Sequence, residues 1–201
     1  MPARRTVSGT NINKVSFESG PVAVEAPVLD FYLRFWREKR GYNRMPSRSQ
    51  LRPSEIRSHI ASITLVEALP GMDDFRFRIV GTKVAQYFLA NATGKTVRQL
   101  YAGAVKPVID GIVRLHRSPI ETAEPLLIHA SATLVEGRYF TPFDVLYLPL
   151  ANEAGEGAFV AAAYSFPNRP ITDSKLRPSM APPMHGAPPM VDADRFQSPA
   201  R

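Results

Sequence analysis

The spacing of apolar residues along this chain changes period several times, and each change marks an element. In APVLDFYLRFWREKRG (26–41), Val28, Leu29, Phe31, Tyr32, Leu33, Phe35 and Trp36 fill an arc of about 200° at helical spacing, leaving the rest to Asp30, Arg34, Arg37 and Glu38. Pro27 suits a first helical turn and Gly41 suits the residue after a last one. A helix lying on one surface needs only about half that apolar width, so this helix is expected to touch two surfaces. A basic, turn-rich connection follows, GYNRMPSRSQLRPSEIRSHI, with a short helix expected after Pro53.

From residue 62 the period becomes two. SITLVEAL (62–69) and FRFRIVG (75–81) read as strands of an antiparallel hairpin joined through 70–74. In the second strand Phe75, Phe77 and Ile79 should face one way and Arg76 and Arg78 the other. A short helix, KVAQYFLAN, follows Gly81-Thr82, and a longer one is expected over 103–117, with Val105, Val108, Ile109, Ile112, Val113 and Leu115 on its apolar face and Pro119 ending it. Strand periodicity returns at 124–131, 138–150 and 158–166. This order predicts an α+β fold: a five-stranded antiparallel sheet with helices on one face and an N-terminal amphipathic helix.

The folded unit is expected over 25–166. Residues 1–24 read as a mobile arm. Beyond 166 the chain is dense in proline, repeats Ala-Pro-Pro-Met twice and has few aliphatic residues, so it reads as a solvated tail or a short docking peptide. At 201 residues the chain suits one domain. It has no run of ~18 apolar residues to span a membrane and no apolar core behind its basic N-terminus to make a secretory signal, so a cytoplasmic location is expected. The absence of cysteine excludes disulfides, thiolate metal sites, iron–sulfur clusters and cysteine nucleophiles.

The net charge of +7 raises the question of nucleic acid. Arg34, Arg37, Lys39, Arg40, Arg44, Arg48, Arg52 and Arg57 crowd one segment, but the aromatics beside them carry a buried pattern rather than an exposed stacking one. Binding of a nucleotide or nucleic acid through 34–57 is the alternative reading. Gly94-Lys95-Thr96 looks like the end of a phosphate-binding loop; counting back five from Gly94 meets Leu89 where that motif needs glycine, and a helix precedes it where a strand is needed. It is not a phosphate cradle. No nucleophile elbow, zinc-protease motif or dinucleotide fingerprint is present, so no catalytic set emerges and the protein reads as a non-enzyme. Arg40 and Arg44 form an R-x-x-x-R pair, a cyclic-dinucleotide signal whose D/N-x-S-x-x-G companion is missing. His59, His116, His129 and His185 lack metal-ligand spacing. His116 has two readings: a haem ligand reaching into the core, or a residue of the last helical turn that caps carbonyls there.

Several segments together carry a family resemblance: FWREKRG, RMPSRSQLRPSEI, FRFRIVGT and ATGKTVRQLY. Through Trp36, Arg40, Met45, Pro46, Arg48, Arg76, Arg78, Gly81, Thr82, Gly94 and Lys95, the chain over about 26–166 resembles the stand-alone single-domain PAS proteins of bacteria, of the alphaproteobacterial type. The resemblance implies a sensory or signalling module rather than a catalyst, one that dimerises through its sheet and N-terminal helix and regulates a signalling partner such as a histidine kinase. It also implies a small-molecule pocket between sheet and helices, here Phe88, Val97, Leu100, Ile112, His116, Leu127, Val145, Tyr147 and Ala161, for which the plainer reading is a filled core. Phe31, Tyr32, Phe35 and Trp36 are the expected dimer contacts, haem through His116 is the one cofactor the family suggests, and a flavin–thiol adduct is excluded for want of cysteine.

Overall fold

Helix α1 (Pro27–Arg40) starts on its proline, carries Asp30 in its first turn and Arg37, Lys39 and Arg40 in its last, and ends at Gly41, each charge complementing the helix dipole. The structure, a computed structural model, describes residues 15–17, 26–89, 91–103, 106–130, 133–135, 138–140 and 143–166. After α1 a 3₁₀ turn (Arg48–Gln50), with Ser47 and Gln50 as a reciprocal capping box, leads to α2 (Pro53–Ile56). The hairpin β2 (Ile63–Ala68) and β3 (Phe75–Val80) follows, then α3 (Thr82–Val84), which runs into a π-helical turn over Ala85–Leu89. Next come α4 (Val97–Leu100), α5 (Lys106–Thr122) and the strands β4 (Leu126–Ala130), β5 (Thr133–Val135), β6 (Arg138–Phe140), β7 (Phe143–Ala151) and β8 (Gly157–Ser165).

The five expected strands form one antiparallel sheet in the order β4-β7-β8-β2-β3. A further strand, β1 (Val15–Phe17), extends its β4 edge. The rest of the expected N-terminal arm and the expected tail over 167–201 lie outside the described residues.

Strand alternation gives the sheet two apolar faces. Leu65, Leu127, Leu146, Leu148, Ala161 and Ala163 pack under α1 with Met45 and Ile56. Val66, Phe75, Phe77, Ile128, Val145, Tyr147, Val160 and Ala162 pack under α3, α4 and α5. The sheet is therefore covered on both sides, by α1 with Met45 and Ile56 of α2 on one and by α3, α4 and α5 on the other.

Three sequence expectations are corrected. Helix α5 does not stop at Pro119 but runs to Thr122, with Pro119 inside it. Proline forfeits one backbone hydrogen bond there, yet Pro119, Ile120 and Ala123 are all buried, so the packing of this last turn outweighs the lost bond. The expected strand 138–150 is two: β6 pairs with β5 in a separate hairpin and β7 begins at Phe143. The sequence between them holds Pro142, which offers no N–H to a ladder. Finally, Ile79 is not an inward residue. The β2–β3 register shifts between Leu65 and Val66, whose partners are Ile79 and Phe77, so Arg78 is an extra residue in β3 and the alternation breaks after Phe77. Ile79 is 38% exposed.

Candidate functional site

Between the sheet and α5 the expected pocket residues Val97, Ile112, Val145 and Tyr147 share one buried cluster, and half-buried Leu100 packs against it. Leu127 and Ala161 do not join them. Each sits one residue out of phase with an inward neighbour (Ile128; Val160 and Ala162), and a shift of one along a strand reverses the face, so both lie under α1. The side chain of Phe88 lies outside the described residues.

His116 is at the centre of this interior. Because α5 continues past Pro119, the residue stands in mid-helix, not in the last turn. It is 2% exposed, and its Nδ1 contacts the Ile112 carbonyl oxygen one turn back at 2.9 Å. The Nε2 atom is buried without a partner. Burial pushes its pKa down to about 4, against the opposing pull of the Ile112 bond and of Asp74. The imidazole is therefore neutral at physiological pH. Its ring lies 5.2 Å from Tyr147, 5.4 Å from Phe75 and 6.2 Å from Phe77, centroid to centroid. With three aromatic rings packed around the imidazole and Nε2 buried, the interior as packed does not fit haem.

Sequence reasoning missed two neighbours of this group, Tyr101 and Tyr164. Burial raises Tyr101 and Tyr147, each with a further push from Tyr164. Burial raises Tyr164 to about 12. Tyr164 was legible as the inward residue two positions after Ala162; Tyr101 was not, since it follows the end of α4 and falls in no period. Together these groups offer phenols and an imidazole, all uncharged. They can donate and accept hydrogen bonds to a neutral molecule.

The opposite face is built by α1. Leu29, Tyr32, Leu33 and Trp36 are buried on the sheet, while Val28, Phe31 and Phe35 form a second, half-buried stripe. Phe31 and Phe35 stack at 6.2 Å, and Phe31 meets His59 at 4.7 Å. Of the four aromatics expected at a dimer contact, Tyr32 and Trp36 are thus taken up by their own chain, at 0% and 2% exposure. The Trp36 indole N–H donates to the Pro149 carbonyl at 2.7 Å, and the Arg40 guanidinium stacks over the indole at 5.3 Å. The segment after α1 is pinned by Ala151 N–H donating to the Pro46 carbonyl (2.8 Å) and by Lys39 pairing with Glu55 (2.7 Å). A small pocket of about 10 Å³ remains between α1 and this segment, at Tyr32, Phe35, Trp36, Pro46, Leu51 and Leu150.

The other motif residues are structural. Gly81 lies so close to the 60–61 backbone that a Cβ would stand 2.4 Å from the Ala61 carbonyl oxygen. Gly94 has φ +85° and donates its N–H to the Phe77 carbonyl at 2.7 Å. The Lys95 carbonyl accepts from Phe77 N–H, and Thr96 caps α4 in a box with Gln99. The Gly-Lys-Thr stretch therefore borders β3 and opens a four-residue helix. Arg78 pairs with Glu67, while Arg76 bridges Thr96 through its backbone and keeps its Nε buried without a partner.

Of the other histidines, His129 bonds Asp144 across β4 and β7 at 2.7 Å, and His185 lies outside the described residues. Among the described residues no cluster of three His, Cys, Asp or Glu could hold a metal ion, and no helix is long and apolar enough to cross a membrane.

Residues 25–164 match a family model described as "PAS domain". No curated protein shows significant similarity to the chain. Among solved structures the chain is similar to one described as an RNA-binding light-oxygen-voltage receptor, at 14% identity and a TM-score of 0.39, over 78% of this chain and 39% of that one. The match therefore spans well under half of the receptor chain.

Proposed function

We infer the function from one premise: the chain belongs to the PAS domain family, whose members are sensory and signalling modules. In our reading it acts as a homodimer that presents α1 to a signalling partner such as a sensor histidine kinase, in the cytoplasm, and modulates that partner's output.

One observation carries this reading. Helix α1 has an apolar stripe, Val28, Phe31 and Phe35, beyond the one its own sheet buries. A helix that only covered a sheet would need the first stripe alone. Pairing two such stripes removes apolar surface at roughly 25 cal/mol per Å².

A gating ligand, in the same reading, binds between the sheet and α5. The uncharged lining of His116, Tyr101, Tyr147 and Tyr164 suits a neutral, hydrogen-bonding small molecule rather than a phosphate or carboxylate.

Light scattering tests the dimer. The wild type should have twice the 22.3 kDa chain mass, and Phe31→Glu/Phe35→Glu should return it to one chain. A monomeric wild type, or a variant of unchanged mass, overturns the assignment. Native mass spectrometry of protein purified from its own host tests the ligand, since added mass would identify it directly.

A further inference from the structure

We propose that the turn after α1 and the segment following it, residues 42–57, form a binding surface for single-stranded nucleic acid. Tyr42 is its base-stacking platform, and Arg48, Arg52 and Arg57 are its phosphate contacts.

Most aromatics near these arginines are buried or half-buried, which speaks against stacking; Tyr42 is the exception. Its side chain is fully exposed and has no ring or hydrogen-bond partner among the described residues. It also stands on a fixed base. Asn43 N–H donates to the Arg40 carbonyl at 2.9 Å, and the Arg40 guanidinium donates to the Asn43 carbonyl at 3.1 Å. The Arg44 guanidinium donates to the Glu121 carbonyl near the end of α5, at 2.9 Å. A ring held in solvent by a pinned turn is preorganised for a base to stack on it.

The bonds that shape the segment bring its arginines to this turn. Gln50 donates to the Lys39 carbonyl at 3.3 Å, and Lys39 pairs with Glu55 at 2.7 Å. Both the 3₁₀ turn and α2 therefore lie against the C-terminal end of α1, where Tyr42 follows. Arg48 belongs to the 3₁₀ turn, and Arg52 and Arg57 bracket α2. Arg34 is paired with Asp30 and Arg40 with Glu124, whereas Arg48, Arg52 and Arg57 have no side-chain partner among the described residues. Glu55 is the one acid between 42 and 57, and Lys39 neutralises it. The guanidiniums of Arg48, Arg52 and Arg57 are thus uncompensated and open to phosphate.

Nucleic acid fits this surface better than an acidic protein does. A protein interface centres on an apolar patch that closes around its anchors. Tyr42 is the one large apolar side chain fully exposed between 26 and 59, and its neighbours Gly41, Asn43 and Arg44 are exposed as well. A lone ring among cations suits one stacked base with phosphates on the arginines. The strand must be single, because bases stacked in a duplex do not offer their faces to a side chain.

Fluorescence anisotropy of the full chain with fluorescein-labelled oligouridine and oligothymidine tests this. Tyr42→Ala should lower affinity at least about fivefold, the loss of one stacked base, and leave the slope of log affinity against log salt unchanged. Tyr42→Trp should keep the affinity. Arg52→Gln/Arg57→Gln should flatten the salt slope by about 1.4, corresponding to two phosphates, and Lys83→Gln/Lys95→Gln should leave it as it is. Tyr42, Arg52 and Arg57 are exposed, so an unchanged melting temperature should accompany their variants. Absence of binding, or affinity indifferent to Tyr42→Ala, overturns the proposal. Equal flattening by the lysine pair would reduce the binding to net charge and overturn it as well. Displacement by polyglutamate as effective, charge for charge, as by unlabelled oligonucleotide would assign the surface to an acidic protein instead. With the tyrosine and arginine effects in place, tighter binding of oligouridine assigns RNA and tighter binding of oligothymidine assigns DNA, each within the proposal.

Discussion

His116 shows what a single buried residue does to a protein's response to pH. Its pKa in the folded chain is about 4, below the ordinary value of 6.5. The unfolded chain thus binds a proton between those values that the folded chain does not, and stability rises with pH across that window. Its contribution is complete above pH 6.5 and is lost as pH falls toward 4, to the extent of about 3 kcal/mol. Urea unfolding at pH 7 and pH 4.5 should therefore show a larger loss in the wild type than in His116→Phe, by about 2–3 kcal/mol; equal losses would mean that the imidazole is hydrated or paired in solution. The candidacy of this histidine was visible in the sequence from its place on an apolar helical arc. Its environment was not, because Phe75, Phe77 and Tyr147 come from β3 and β7 and meet it only in the fold. Gly81 is similar: the sequence marked it as a motif residue, and the reason for it, a carbonyl of residue 61 where a Cβ would go, is tertiary.

At the scale of elements, α1 is the most instructive. Its 200° arc led to the expectation of two contacted surfaces, but did not tell which residues its own sheet would bury. Periodicity gives angles around an axis and carries no information on where the sheet stands. The structure puts Trp36 against Pro149 and Phe35 at the half-open edge. Trp36→Ala should accordingly cost about 3–5 kcal/mol of folding stability, while Phe35→Ala, at low concentration where chains are separate, should cost less than about 2 kcal/mol; similar losses in chemical denaturation would contradict this division. Helix α5 and strand β3 show the limits of local rules. Proline was expected to end one and strict alternation to govern the other. Packing of Ile120 and Ala123 carried the helix past Pro119, and one extra residue in β3 turned Ile79 outward. Both outcomes depend on partners distant in sequence.

At the scale of the whole molecule, both faces of the sheet are covered, and the half-buried stripe Val28, Phe31 and Phe35 of α1 is the surface on which the proposed pairing rests. The sequence by itself determined the order of the main elements, the α+β class and the rejection of a phosphate loop, since each rests on local period, turn chemistry or a missing glycine, and its motif segments carried the family. Tertiary structure alone decided which arginines are spent on ion pairs and which are free, which strand residues face α5 rather than α1, and where a small pocket remains. Charge pairing and burial are relations between segments far apart in the chain. One residue of register reverses a strand's face, and that register is set by the partner strand and by the core the two faces must fill.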